Sequence, residues 1–234
     1  MKLIKKILLI LLILGFAIFG YLGLEGYNRY KEAIKELPLS VAVSNIQADP
    51  TYVSFNEIDP DFVDALTSIE DHRFFERRGV DFVAIGRALV ANLVSKEIQQ
   101  GGSTITQQVA KNIYFSNKPS LTRKIAEVFF VWDLEDHYTK DEIFAMYANI
   151  IYYGDGYYGI RQAANGYFNK APNDLTLYEA SLLAGLPQSP SRYQLSNGYK
   201  LINERQKNVL SAMLKYNEIS TQEMNDALAQ QPNS

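Results

Sequence analysis

The hydrophobic pattern changes character once, near residue 25. Ile7 to Leu24 is an unbroken run of 18 positions without a charge, dominated by Leu, Ile and Phe. At about 1.5 Å per helical residue the run reaches roughly 27 Å, close to the thickness of a bilayer core. Lys2, Lys5 and Lys6 precede it, and Glu25 is the first charge after it. That asymmetry predicts a cytoplasmic N-terminus over residues 1–6, an anchor over 7–24 and an extracytoplasmic remainder. A cleaved signal peptide would have a shorter apolar core ending in small residues. Gly20-Tyr21-Leu22-Gly23 is bulky at its centre, so an uncleaved membrane anchor is expected.

Past the anchor the apolar positions mostly recur with helical period. Asp59-Pro60 is a good helix start, and Phe62, Val63, Leu66 and Ile69 then share a face. A second helix is predicted after Asp81, from Phe82 to about Val94. Gly101-Gly102 break the chain, and Ser103 or Thr104 can cap a third helix through Lys111. Thr139 with Glu142, Thr176 with Glu179 and Ser220 with Glu223 match capping boxes, announcing helices near 140–151, 177–186 and 221–230. Gly154 and Pro187 punctuate the first two. Strand signals are confined to Leu39–Ile46 and Tyr52–Phe55. The expected organisation is a stalk over 25–48, a mainly α domain over 49–217, and a C-terminal helix and frayed tail over 218–234.

Composition narrows the chemistry. The 234 residues include no cysteine, which excludes a disulfide scaffold and a Cys-based zinc site. Two histidines, His72 and His137, are too few for a multi-histidine centre, and a net charge of −3 lacks the basic footprint of a nucleic-acid binder.

Four segments carry candidate chemistry. In Ser68-Ile69-Glu70-Asp71-His72-Arg73-Phe74-Phe75, Glu70 closes an apolar helix beside aromatic residues, a setting that suits acid/base work as well as a plain solvated helix end. Gly101-Gly102-Ser103-Thr104-Ile105-Thr106-Gln107-Gln108-Val109-Ala110-Lys111-Asn112 offers backbone N–H groups and hydroxyls at a helix start, fit for phosphate or sugar, or simply for capping. Arg123-Lys124-Ile125-Ala126-Glu127 sets two cations and a carboxylate on one helical face, as a surface ion pair or as a pyrophosphate site. The fourth segment, Tyr147-Ala148-Asn149 through Gly154 to Tyr158, is aromatic, as packing or as a sugar platform.

In this order the segments resemble the peptidoglycan glycosyltransferases, family 51, which polymerise lipid-linked disaccharide-pentapeptide into glycan strands. Gly102-Ser103-Thr104-Ile105-Thr106-Gln107-Gln108 carries most of the likeness, joined by Glu70-Asp71, Arg123-Lys124 with Glu127, and Tyr147-Asn149-Gly154. Leu182-Leu183-Ala184-Gly185-Leu186-Pro187-Gln188-Ser189-Pro190 fits the closing segment, so the likeness covers about residues 50 to 215. It implies a lysozyme-like, mainly α head with a small jaw lobe near the membrane. It also implies inverting transfer of lipid II, with undecaprenyl pyrophosphate leaving. By the same resemblance Glu70 is the general base, and Glu127 assists the leaving pyrophosphate directly or through a divalent cation, Mg or Mn. Asp71, Arg87, Ser103, Thr104, Gln107, Gln108, Lys111, Asn112, Arg123, Lys124 and Asn149 are the implied substrate-binding residues.

The chain departs from the family pattern at Arg77, where histidine is usual, at Ala145, where many members carry glutamate, and at Ala148, where leucine is usual. No Ser-x-x-Lys or Lys-Thr-Gly motif of a transpeptidase occurs. The expectation is therefore a monofunctional enzyme or a chain cut after its glycosyltransferase domain, with the capped final helix favouring a natural end. Two alternatives keep a place: a lysozyme-like glycan hydrolase, and a catalytically silent membrane-anchored scaffold that binds precursor. Expected partners are lipid II, the growing lipid-linked glycan, the membrane and cell-wall synthesis or division proteins, with no nucleic acid. An apolar patch around Tyr114-Phe115 and Phe129-Phe130-Val131-Trp132 is expected to face the bilayer or to pack helices.

Overall fold

A computed structural model of the protein describes residues 2–81, 103–115 and 120–231. The helix expected over 82–94, the Gly101-Gly102 turn and Arg87 lie outside these residues. The first helix, α1, runs Lys2–Glu36 and is long and apolar enough to cross a membrane. It does not stop where the apolar run stops. From Tyr27 onward it exchanges lipid-like residues for ones that meet protein. The rings of Tyr27 and Tyr30 lie 5.1 and 5.7 Å from that of Phe129, and Tyr30 donates a hydrogen bond to Asp133 at 3.0 Å. Gly26 sits at the closest approach: a Cβ there would fall 2.4 Å from Ile125 Cγ2, so only glycine admits the neighbouring helix.

The expected β stretches are not strands. Leu39–Gln47 is a helix, α2, and Phe55–Glu57 is a single 3-10 turn closed by a Ser54–Glu57 capping box. Leu39, Ala42, Val43 and Ile46 explain the first: their spacing is that of one helical face, and the first three are buried. The burial of that face outweighs the β preference of its two valines. Among the described residues no strand forms, and the one antiparallel bridge joins Tyr152 to Tyr158.

The remaining helices start where their caps announce them. Asp59 caps α3, Pro60–Glu70, with Pro60 in its first turn. Thr104 and Gln107 form a capping box for α4, Ile105–Tyr114. The Ser120 side chain caps α5, Leu121–His137, and the Thr139–Glu142 box opens α6, Lys140–Ile150. Gly159, at φ 81°, precedes α7, Ile160–Phe168; a Cβ there would lie 2.7 Å from the Asn149 carbonyl oxygen. The Thr176–Glu179 box opens α8, Leu177–Gly185. Unannounced by any box, α9 spans Tyr199–Lys215, and the Ser220–Glu223 box opens α10, Thr221–Ala229.

Packing sorts these helices into two groups. Helices α3, α8 and α9 pack mutually, with α10 against α9. Helix α4 packs on α5 and α6, while α1 lies along α5 and α2 along α6. Phe62, Phe74, Phe144, Tyr147 and Tyr153 are fully buried within the core. The expected apolar patch divides between its two readings. Phe130 and Val131 are buried, and Tyr114 stacks on Phe130 with centroids 4.0 Å apart. Trp132 is 49% exposed, joined on α5 by Leu121 at 70%.

Candidate active site

A cleft of about 640 Å³ is lined from both helix groups and is bordered by Glu70 and by Lys111, Arg123 and Lys124. Glu70 is the last residue of α3, so the helix end delivers its carboxylate to the cleft wall. Its Oε2 accepts a hydrogen bond from Gln108 Nε2 at 2.9 Å, and its Oε1 lies 3.5 Å from the Arg205 guanidinium. Tyr147 donates its hydroxyl hydrogen to Gln108 Oε1 at 3.3 Å, which leaves the Gln108 amino group facing Glu70. Complete burial, and then the nearby Glu70 charge, push the Tyr147 phenol well above its ordinary value, so it serves as a donor.

The loop after Glu70 is tied down by ions. Asp71 accepts from the Ile105 backbone N–H at 3.0 Å and from Arg77, while Arg73 donates to both oxygens of Asp81 at 2.6 Å. Burial raises the Asp71 carboxyl, and the Arg77 charge opposes the rise. Arg77 also donates to the Gly79 carbonyl and lies 3.8 Å from Asp81. Arg77 therefore clamps this loop. Thr104 and Gln107 line the cleft but bond each other: Thr104 Oγ1 accepts from the Gln107 N–H at 3.1 Å, and Gln107 Oε1 from the Thr104 N–H at 3.0 Å.

Another part of the cleft is cationic. Glu127 is 0% exposed; Lys124 donates to its Oε2 at 2.7 Å, and Arg123 Nε lies 3.4 Å from its Oε1. Lys124 also donates to the Ser103 hydroxyl at 2.8 Å. Lys111, from the last turn of α4, shares the wall; burial pulls its ammonium down, and then the Lys124 charge does, against Glu127. Three cations thus gather around one sunken carboxylate. Glu127 does not line the cleft; it reaches it through Lys124 and Arg123.

Two expected binding residues stand apart. Asn112 is exposed on α4 and does not line the cleft. The Asn149 amide donates to the carbonyls of Val53 at 2.8 Å and Ala145 at 2.7 Å, and accepts from the Val53 N–H at 2.9 Å. It is a backbone clasp because an amide matches the donor and acceptor of an extended residue, and it lines a separate recess of about 260 Å³. Glu127 is already engaged by two cations, and among the described residues no three His, Asp or Glu side chains gather as a metal site.

Sequence reasoning missed the wall supplied by α9. Arg205, Asn208, Ala212 and Lys215 line the cleft, followed by Tyr216, whose ring stacks on His72 at 4.3 Å. Ile202, Val209, Leu210 and Met213 are buried at helical spacing, a signal that could have announced this helix without a cap.

One cleft thus joins a reachable carboxylate and a cluster of cations, in a helical domain that packs on a helix long and apolar enough to cross a membrane. The Transglycosylase family model matches residues 39–214. A Cupriavidus necator protein named "Putative transglycosylase" is 39% identical over 221 residues, covering 94% of this chain and 93% of its own length. Penicillin-binding protein 1A of Neisseria flavescens is 40% identical over 217 residues, 89% of this chain and 27% of its own length. Penicillin-binding protein 1F of Bacillus subtilis is 34% identical over 233 residues, 95% of this chain and 33% of its own length. The chain belongs to the transglycosylase family and is a peptidoglycan glycosyltransferase.

Proposed function

We propose that this enzyme polymerises lipid II with inversion at the anomeric carbon and releases undecaprenyl pyrophosphate. The observation that supports this reading is the single cleft joining Glu70 to Lys111, Arg123 and Lys124. In the reaction, the 4-hydroxyl of one lipid-linked disaccharide attacks the anomeric carbon of the growing chain. Glu70 takes the hydroxyl proton, since a general base must lie within hydrogen-bond reach of the proton it accepts. The new glycosidic bond forms as the bond to pyrophosphate breaks. Lys111, Arg123 and Lys124 receive the charge that develops on the departing oxygens. Glu127 holds two of these cations in place. No step is assigned to a metal.

The membrane anchor then keeps the cleft near its lipid-linked substrate, with the N-terminus in the cytoplasm and the catalytic domain outside. The rationale is the α1–α5 contact, because α5 also carries Arg123, Lys124 and Glu127. Trp132 and Leu121, exposed on the same helix, are suited to a bilayer surface.

Incorporation of labelled lipid II into polymer by the purified full chain, wild type beside Glu70→Gln, tests the reading. Polymer from the wild type and a loss of about 1,000-fold in the folded variant is the expected result. Breakdown of preformed glycan by the wild type would instead indicate a hydrolase. Binding of lipid II without turnover would indicate a scaffold.

A further inference from the structure

We propose that Arg205 is a positioning residue for Glu70, fixing which carboxylate oxygen receives the proton. The inference rests on the reading of Glu70 as the base. It deepens that reading by assigning a role to a residue 135 positions further along the chain.

The geometry is specific. The Arg205 side chain is 9% exposed, and its Nε donates to the Gly185 carbonyl at 3.3 Å. A Cβ at Gly185 would lie 3.0 Å from Arg205 Cγ, so the glycine at the end of α8 leaves room for the arginine stem. The guanidinium is thereby aimed at Glu70 Oε1 from the far side of the α3–α9 contact. At 3.5 Å it attracts that oxygen's charge without closing a short hydrogen bond on it. The other oxygen, Oε2, is taken by Gln108, which Tyr147 orients.

The two oxygens are therefore inequivalent. Oε2 is tethered, and Oε1 is held in place with a lone pair available to an incoming hydroxyl. A buried guanidinium and a carboxylate that must both stay charged support each other, and removal of either leaves an uncompensated charge. Among the described residues, Lys111 of α4, Tyr147 of α6 and Arg205 of α9 act electrostatically with Glu70 from the packed elements. Of these, Arg205 is in direct ion-pair contact with it.

The test compares wild type, R205M and R205K as full chains, with kcat and KM for lipid II measured from about pH 5 to 9. R205M is expected to lower kcat by about 10- to 100-fold with KM within about two-fold. R205K should recover most of that loss. A loss confined to KM, or no recovery by R205K, overturns the proposal. A double-mutant cycle on thermal unfolding removes the dependence on substrate. R205M should lower the Tm more in the wild-type background than in E70Q, whereas equal losses in both overturn the proposal. If R205M does not fold, R205Q takes its place in the cycle. If the wild type makes no polymer, the function reading fails, and the cycle still decides the Arg205–Glu70 contact.

Discussion

Each end of the cleft pairs a glutamate with an arginine, yet the two ends work in opposite senses. At one end Glu70 lines the cleft itself beside Arg205 and Gln108, and its carboxylate is open to the cleft. At the other end Glu127 is sunk beneath Lys124 and Arg123, and the cations are what a substrate meets. The difference is one of burial and stoichiometry rather than residue type. A carboxylate matched by one cation and left accessible can accept a proton. A carboxylate buried among cations and outside the cleft lining is placed to organise them.

Glu70→Gln is the largest expected break in this comparison. Polymerisation should fall about 1,000-fold in a variant that still folds, because glutamine keeps the Gln108 contact while it loses the base; the unfolding temperature should drop modestly, since Arg205 loses its counter-charge. Glu127→Gln should act differently. It leaves Arg123 and Lys124 without their buried counter-charge, so unfolding by denaturant should show a loss of about 3 kcal/mol. A fall in kcat with unchanged stability would give Glu127 a direct part in proton transfer and erase the distinction between the ends.

Lys111→Met probes the cationic end on its own. It removes one charged contact to the departing pyrophosphate, so KM should rise about ten-fold. The pH dependence has a definite sign. Burial and Lys124 lower the Lys111 ammonium from its ordinary value, so the wild-type enzyme loses this charge, and substrate affinity with it, as the pH rises into the alkaline range. The variant should show a flatter alkaline limb of KM, and an unchanged limb would remove Lys111 from the anion site.

The smallest effect concerns a carboxylate that has acids as its neighbours. Burial, then Glu218, Asp61 and Asp59, raise Asp64 on α3 to about 6. Its folded-state value lies above the ordinary 3.8, so the folded protein binds this proton more tightly and loses stability as pH rises from about 4 to about 6. Asp64→Asn should therefore stabilise the protein at pH 7 by on the order of 1 kcal/mol, allowing for solvent screening. The gain should vanish below about pH 4, as measured by denaturant unfolding across pH.

Much of the scaffold was legible in the chain because the signals are local. Asp59-Pro60 and the boxes at Thr139, Thr176 and Ser220 start helices within a residue of expectation, since a cap satisfies N–H groups only two or three residues away. The Ser103–Gln108 stretch announced a helix start, and Ser103, Thr104, Gln107 and Gln108 all line the cleft. Helix α2 was misread because its valines suggest a strand, while its period of 3 and 4 governs which side chains reach the core. Helix α9 was missed because it begins after Gly198, at φ 88°, with no side-chain cap.

The amino-acid sequence by itself determined the long apolar N-terminal helix, the helical class, most helix starts and the residues of the two glutamate segments. These depend on spacings of a few residues along one chain. Only the tertiary structure decided how each glutamate is placed, because Glu70 and Glu127 stand 57 positions apart and their burial is set by other helices. It gave Asn149 a clasp on Val53, placed Arg77 as a loop clamp, and brought Arg205 from α9 to Glu70. Charge and accessibility are properties of surroundings, and the surroundings of these side chains are assembled only when distant segments pack.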